Sequence, residues 1–172
     1  MRSIILYSSL SGNTKQVAEA IAKSLPADTI CAPIQEAPDD LADYDVVFFG
    51  FWVDKGTANK GAAELIKTLT NKYIVLFATL GMYADSNHAR ESIAKAGSLL
   101  PEGHSVYDGF VCQGKISPKV IEMMYKMFPA GSPHGQSPER DALHKAAERH
   151  PDVNDLAAAE AFGRQVMERI TK

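Results

Sequence analysis

The first residues that could do chemistry form the stretch SSLSGNT at positions 8–14. It lies between an apolar run, SIILY, and a segment with helical spacing, KQVAEAIAKSL. A turn from a strand into a helix presents free backbone N–H groups and the positive end of the helix dipole, and both favour an anion such as phosphate. We therefore predict a phosphate-binding turn, in which Ser9, Ser11 and Thr14 add donors and Gly12 allows close approach.

Two common phosphate-binding patterns do not account for this stretch. The Walker pattern needs GxxxxGK[ST], and the dinucleotide fingerprint needs GxGxxG, whereas Gly12 stands alone. A plainer interpretation is that Ser11 or Asn13 only caps the following helix, as such residues commonly do. The residue types of the turn leave both interpretations open.

Alternating strand and helix patterns predict where this turn lies in the fold. Short β-branched or aromatic runs recur at 3–7, 28–32, 45–52, 73–79 and 105–112. The segments between them carry apolar residues every three or four positions, which is typical of helices with one buried face. This alternation predicts a parallel sheet with helices on both faces. In such sheets a ligand binds beyond the carboxyl ends of the strands, so we expect a site in the loops after the first, third and fourth strands.

The chain length and the later pattern predict one domain with an added segment. A chain of 172 residues with 45% hydrophobic residues can bury one sizeable core. After residue 115 the alternation stops, and SPKVIEMMYKMF, PAGSPHGQSP and SPERDALHKAAERH predict a helix, a loop and a second helix. We predict a single domain over 1–172, with an extension at 116–150 before a closing helix at 153–171.

Composition and charge argue against several classes of function. The net charge is −3 and no cluster of Lys and Arg with interleaved aromatic residues occurs, so we expect no nucleic-acid partner. Apolar runs such as VVFFGFWV at 46–53 are far shorter than a membrane span, and no signal peptide is recognised. Cys31 and Cys112 form no CxxC pair, which favours a reducing compartment. We therefore expect a cytoplasmic protein with no membrane partner.

The extension contains residue types that occur at metal and docking sites. His134, His144 and His150 have no paired spacing of three or four, so we expect no metal site. Four apolar residues surround the first predicted helix of the extension: Met123, Met124, Met127 and Phe128. We expect them to be mainly core and edge residues. They spread so widely around the helix, however, that some could also contact a dimer partner or another protein.

Residues 5–21, ILYSSLSGNTKQVAEAI, resemble the flavodoxin signature. Every constrained position of that signature is filled, by Ile5, Leu6, Tyr7, Ser9, Gly12, Thr14, Ala18 and Ile21. The resemblance implies an α/β, flavodoxin-like fold, a doubly wound five-stranded parallel sheet of order 2-1-3-4-5 with helices on both faces, here followed by an extra C-terminal helical segment. It also implies that the turn holds the phosphate of flavin mononucleotide (FMN), through Ser9, Leu10, Ser11, Gly12, Asn13 and Thr14.

Two further loops contact the flavin ring in the flavodoxin family, and the resemblance places them after the third and fourth strands. The candidate residues are Phe51, Trp52, Val53, Asp54, Lys55 and Gly56 in one loop and Thr79, Leu80, Gly81, Met82 and Tyr83 in the other. Trp52 or Phe51 would stack on one face of the ring, and Tyr83 or Met82 on the other. A backbone carbonyl near Gly56 would accept a hydrogen bond from the N5–H of the reduced flavin. The alternative is that these aromatic residues only end a strand or cover the edge of the core.

The loop after the third strand departs from the flavodoxin pattern, in which acidic residues surround the flavin. Here Asp54 and Lys55 supply one acid and one base, and the aromatic-glycine pair of the family is not in register. At roughly 7 Å and an effective dielectric of about 20, Lys55 would attract the charge of the reduced flavin by about 2 kcal/mol. That raises the reduction potential by roughly 100 mV, so we expect a milder reductant than a typical flavodoxin. A Lys55 side chain that points into solvent would remove this effect.

Three functions fit these observations. The first, implied by the resemblance, is an FMN-binding carrier, monomer or homodimer, that shuttles electrons between a reductase and a terminal redox enzyme; it needs no catalytic residue because the flavin carries the chemistry. The second is an FMN-dependent reductase acting directly on a quinone, a tetrapyrrole or a similar substrate, with 116–150, including His134 and His144, as a lid or pocket wall. The third is a binding module without tightly held flavin. FVCQGKI and HPDVNDLAAAEAFG also resemble the BilS group of flavodoxin-like proteins, associated with bilirubin reduction in gut anaerobes.

Overall fold

A computed structural model describes residues 1–172, and it has a parallel sheet with helices on both faces. The strands are β1 (Ser3–Tyr7), β2 (Ile30–Pro33), β3 (Val46–Asp54), β4 (Thr57–Ala58), β5 (Tyr73–Leu80) and β6 (Val106–Gln113). The helices are α1 (Asn13–Ala22), α2 (Lys60–Ile66), α3 (Asn87–Gly97), α4 (Pro118–Met127), α5 (Pro138–Ala147) and α6 (Val153–Ile170). All five predicted strands are present, as are the helices of the extension and the closing helix.

The order of the strands confirms the predicted order 2-1-3-4-5 and adds one short strand. The parallel path is β2-β1-β3-β5-β6, and β4 pairs with the end of β3 instead. That pairing is antiparallel, with Asp54 opposite Thr57. Lys55 and Gly56 form the turn between these strands with φ of 50° and 77°, as the favoured two-residue hairpin turn requires. This hairpin was not predicted from the sequence, because a strand of two residues carries no periodic pattern.

Each face of the sheet is covered by its own hydrophobic core. Leu6 and Phe49 belong to the cluster beneath α2 and α3, whereas Ile5 and Phe48 belong to the cluster beneath α1 and α6. Adjacent residues of a strand point to opposite faces, and here both faces are buried. This arrangement explains why the central strands are almost continuously apolar. Because both faces of the sheet are covered, a ligand can reach the sheet only at the ends of its strands.

The extension packs less closely than the rest of the chain. Its two helices begin at the predicted Ser-Pro pairs, because Ser117 Oγ accepts a hydrogen bond from the Val120 N–H and Ser137 Oγ accepts one from the Arg140 N–H. No residue of α4 is buried, so the expectation that its methionines are core residues was wrong. The reason is that α4 packs closely on neither face of the sheet. None of the helices is long and apolar enough to cross a membrane.

Candidate functional site

A cavity of about 450 Å³ lies at the carboxyl edge of the sheet. Its walls come from the ends of β1, β3, β5 and β6 and from α4, so parallel strands bring together residues that are distant in sequence. The volume is within the usual range of small-molecule sites. The lining residues are Leu10, Ser11, Asn13, Trp52, Val53, Asp54, Lys55, Thr79, Leu80, Gly81, Gly114, Lys115, Ile116, Ser117, Val120 and Met124.

The turn after β1 is held by its own serine. Ser9 Oγ accepts hydrogen bonds from the N–H groups of Gly12 at 3.1 Å and Lys15 at 3.3 Å. Gly12 is the N-cap residue of α1 and has a φ of 90°, so the side-chain acceptor for the first turn of the helix is Ser9. Neither Ser11 nor Asn13 therefore acts as the helix cap that the plainer interpretation of this stretch required.

Several backbone donors of the same turn have no acceptor within the chain. They are the N–H groups of Ser9, Leu10, Ser11, Asn13 and Thr14. These donors and the positive end of the α1 dipole both favour an anion. A Cβ placed on Gly12 would meet no atom within 4 Å, so there is open space beside the backbone at that point. The residues present therefore fit a phosphate group, bound by the backbone rather than by a lysine or an arginine.

Two side-chain hydrogen bonds tie this turn to the neighbouring strand ends. The hydroxyl oxygens of Thr14 and Thr79 are 2.8 Å apart in a buried contact. Asn13 Nδ2 donates to the Lys115 carbonyl oxygen at 2.9 Å. Thr14 is only 1% exposed, and its hydrogen bond with Thr79 links the start of α1 to the end of β5. The two bonds fix the turn relative to β5 and β6 before any ligand is present.

Only part of the loop after β3 reaches the cavity. Trp52, Val53, Asp54 and Lys55 line it, whereas Phe51 is fully buried in the core beneath α2 and α3. The alternation of a strand places these two aromatic residues on opposite faces. Of the two aromatic candidates at this position, the structure therefore leaves only Trp52 exposed to the cavity.

The loop after β5 contributes its first residues and then turns away. Thr79, Leu80 and Gly81 line the cavity, and Met82 and Tyr83 do not. The Tyr83 carbonyl oxygen accepts hydrogen bonds from the Ser86 N–H at 3.1 Å and the Ser86 hydroxyl at 2.6 Å. This tight turn leads the chain directly into α3 and leaves Tyr83 46% exposed. The predicted second aromatic contact is thus not part of the cavity wall.

The part of the cavity wall that follows β6 was not predicted from the sequence. Gly114, Lys115, Ile116 and Ser117 lie at the end of that strand, and Val120 and Met124 lie on α4. The signal was available for the first four residues, because a fifth parallel strand must end at the same edge as the others. The contribution of α4 was anticipated only by the reductase alternative, which placed the 116–150 extension beside the ligand. His134 and His144, the histidines named for that alternative, do not line the cavity.

Two cysteines and one acidic cluster have structural roles, and nothing indicates that they take part in a reaction. Burial raises the pKa of Cys31 to about 11 and that of Cys112 to about 12, so neither thiol is a ready nucleophile. His150, Asp152 and Asp155 place ligand atoms within 4.8 Å of one another. The Asp152 carboxylate, however, accepts hydrogen bonds from N–H groups of the first turn of α6, and the Asp155 carboxylate accepts one from the Asp152 N–H. These bonds make the cluster a helix cap.

Comparison with known proteins gives one family for nearly the whole chain. Residues 4–164 match the flavodoxin domain model. The flavodoxin-like domain-containing protein BilS of Clostridioides difficile (strain CD3) is 32% identical over 171 residues, which cover 97% of each chain. A flavodoxin from the domain Archaea superposes with a TM-score of 0.60 at 15% identity over 100% of both chains. The flavodoxin of Fusobacterium nucleatum, solved bound to flavin mononucleotide, has a TM-score of 0.55 at 10% identity and covers 98% of both chains. The predicted family resemblance and fold are confirmed.

Proposed function

Because the chain belongs to the flavodoxin domain family, we propose that it is an FMN-binding protein that carries electrons between a reductase and a terminal redox enzyme. The observation that carries this proposal is the turn after β1, whose unpartnered N–H groups lie beside a cavity of about 450 Å³. When bound, FMN supplies reversible one- and two-electron chemistry that no side chain can provide. The chain's own task is then to hold the cofactor and to expose it to its partners.

Different parts of the cavity have different tasks in this proposal. The N–H groups of the turn bind the phosphate, and the Thr14–Thr79 and Asn13–Lys115 hydrogen bonds keep them in position. A preorganised set of donors binds better because less conformational entropy is lost on binding. Trp52 offers an aromatic surface to a flat ring system. Apolar side chains such as Met124 keep water away from that ring.

A carrier also needs an accessible site and a suitable compartment. Leu10 lines the cavity and is 69% exposed, so the cavity opens to solvent beside the turn. An open mouth lets a second protein approach the cofactor closely. We propose that the protein works in the cytoplasm, because Cys31 and Cys112 are free thiols and free thiols are usual in reducing compartments.

Titration of the apoprotein with FMN tests this function. We expect saturable binding with quenching of flavin fluorescence, and the bound flavin should accept electrons stepwise from dithionite and return them to an added one-electron acceptor. Riboflavin, which lacks the phosphate, is the matched ligand and should bind much more weakly. If FMN does not bind, the proposal fails and the chain is a binding module with this fold. Equal affinity for riboflavin would contradict the role of the turn.

A second function is favoured by one observation, the position of α4. Val120 and Met124 line the cavity from a helix outside the five-stranded core of the fold. Such a wall would suit a reductase that holds a quinone, a tetrapyrrole or a similar substrate against the flavin. Steady consumption of NAD(P)H with such a substrate, in the absence of any other protein, would favour the reductase over the carrier.

A further inference from the structure

We propose that the mouth of the cavity is a docking surface for a redox protein that presents an acidic face around its own redox centre. This inference rests on the proposed function and adds the chemistry of the partner. The docking surface consists of four lysines at the rim and an apolar centre. The lysines are Lys55, Lys60, Lys115 and Lys119, and the centre includes Leu10 and the apolar cavity residues.

Two of the four lysines line the cavity, and each of the other two is next in the chain to a residue in or bonded to its wall. Lys55 and Lys115 line it from the strand ends on either side of β5. Lys60 begins α2 directly after the β3–β4 hairpin, and Lys119 lies in the first turn of α4, next to lining residue Val120. All four are exposed. No salt bridge involves any of them, although the pKa of the Glu64 carboxyl group is lowered by its hydrogen bond with Lys67 and also by the nearby charge of Lys60.

This positive rim contrasts with the charge of the whole chain, which is −3. At the carboxyl edge, Asp54 lines the cavity and Asp85 lies in the loop after β5. Asp152 and Asp155 lie near the end of β6, where the Lys115 N–H donates to the His150 carbonyl oxygen. Much of the acidic excess lies in the loop before β3, which carries Asp39, Asp40, Asp43 and Asp45. That loop returns to the amino edge, where the Arg2 N–H donates to the Asp45 carboxylate. The cavity mouth therefore carries lysines without a salt bridge although the whole chain is acidic, while other such cations, for example Lys23 and Lys145, lie elsewhere.

The centre of the same surface is apolar. Leu10 is 69% exposed there, and Trp52, Val120 and Met124 line the cavity behind it. An apolar centre inside a charged rim is the usual arrangement of a protein interface. The rim charges raise the rate of encounter, whereas the centre provides the contact through which electrons pass.

Charge complementarity favours an acidic partner over a basic partner or a second copy of this chain. A basic partner would bring like charges together around the cavity, and that arrangement is unfavourable. A second copy docked through the same surface would oppose lysine with lysine in the same way. An acidic face would instead pair with all four lysines and leave the apolar centres in contact.

The rate at which the reduced, FMN-loaded protein transfers electrons to small ions reports the charge at the cavity mouth, where the lysines must outweigh the negative charge of the bound FMN. Ferricyanide is the anionic acceptor, and the cobalt(III) hexaammine ion is the cationic one. Between about 10 mM and about 300 mM ionic strength, we expect the ferricyanide rate constant to fall about tenfold and the hexaammine rate constant to rise. The opposite trends, or no dependence on salt, would overturn the proposal.

Charge reversal shows which residues are responsible. Lys60→Glu and Lys119→Glu change lysines that do not line the cavity, and each should lower the ferricyanide rate constant about threefold or more at low ionic strength. The matched control is Lys23→Glu, which changes an exposed lysine at the end of α1 that lies away from the cavity. An equal effect of the control would show that only the total charge matters and would overturn the assignment to the rim.

A binding measurement that needs no flavin separates this inference from the proposed function. The apoprotein should bind poly-L-glutamate in isothermal titration calorimetry, and the Lys60→Glu/Lys119→Glu double variant should bind it at least tenfold more weakly, whereas Lys23→Glu should not change it. If FMN fails to bind while poly-L-glutamate does, the proposed function fails and the acidic preference stands. If FMN binds but poly-L-glutamate does not, or if Lys60→Glu and Lys119→Glu disrupt a homodimer instead, the docking proposal is wrong.

Discussion

The hydrogen bond between Thr14 and Thr79 makes the most direct prediction about the site. Their hydroxyl oxygens are 2.8 Å apart, and the side chains are 1% and 3% exposed. Replacing either residue with valine keeps the shape but leaves the other hydroxyl buried without its partner, at a cost of about 1–3 kcal/mol. Replacing both removes the unpaired group as well. We therefore expect the double variant to be about as stable as either single variant, with a coupling energy of about 1–2 kcal/mol.

Urea unfolding of the four apoproteins measures this cycle. Thr68→Val is the matched control, because the Thr68 hydroxyl donates to the Leu65 carbonyl oxygen in an exposed position and should cost less than about 0.5 kcal/mol. FMN titration of the same proteins should show weaker binding in both single variants, since each loosens the phosphate-binding turn. Additive effects of Thr14→Val and Thr79→Val on the free energy of unfolding would refute the reasoning, because independent side chains show no coupling.

Three further predictions concern single ionisable side chains. Lys55→Glu changes the local charge by two units and should lower the reduction potential of bound FMN, by at most roughly 200 mV before solvent screening of this exposed side chain. An unchanged potential against reference dyes would show that the lysine charge is remote from the flavin. Burial raises the pKa of Cys112 to about 12, so this thiol should react with a disulfide reagent only as fast as the chain unfolds; immediate reaction would contradict its burial. Burial and Arg140 lower the pKa of His144 below its ordinary value of 6.5, so the unfolded chain binds the proton more readily. The free energy of unfolding should therefore fall as the pH drops through 6.5 and level off below the folded pKa, and His144→Gln should flatten that part of the curve.

Local patterns in the sequence predicted most of the sheet. The central strands β3 and β5 are almost continuously apolar, the outer strands are short runs rich in β-branched or aromatic residues, and each helix that covers the sheet has an apolar stripe. The alternation can therefore be read without knowledge of distant contacts. The short strand β4 could not be predicted in this way, because its pairing with Val53 and Asp54 depends on a turn of two residues. The flavodoxin-like order of the strands followed from the signature around Gly12.

The part of the candidate site that is one continuous segment could be predicted from the sequence. The part that depends on how the strands and loops pack could not. The turn at 8–14 was identified from its residue types, because a strand-to-helix turn presents free N–H groups in any such unit. Which side chains enter the cavity was decided only in three dimensions. The twist and register of β3 bury Phe51 and direct Trp52 outward, and a tight turn at Tyr83 takes that ring away from the cavity.

The sequence by itself therefore determined the family, the order of the elements and the position of the candidate phosphate-binding turn, since all of these depend on residues close together in the chain. Only the tertiary structure decided that α4 forms a wall of the cavity and that Lys55 and Lys115 both line it. The physical reason is that parallel strands end at one edge of the sheet. Their loops meet there from positions up to about a hundred residues apart, as Asn13 and Lys115 do, and no local pattern records such a meeting.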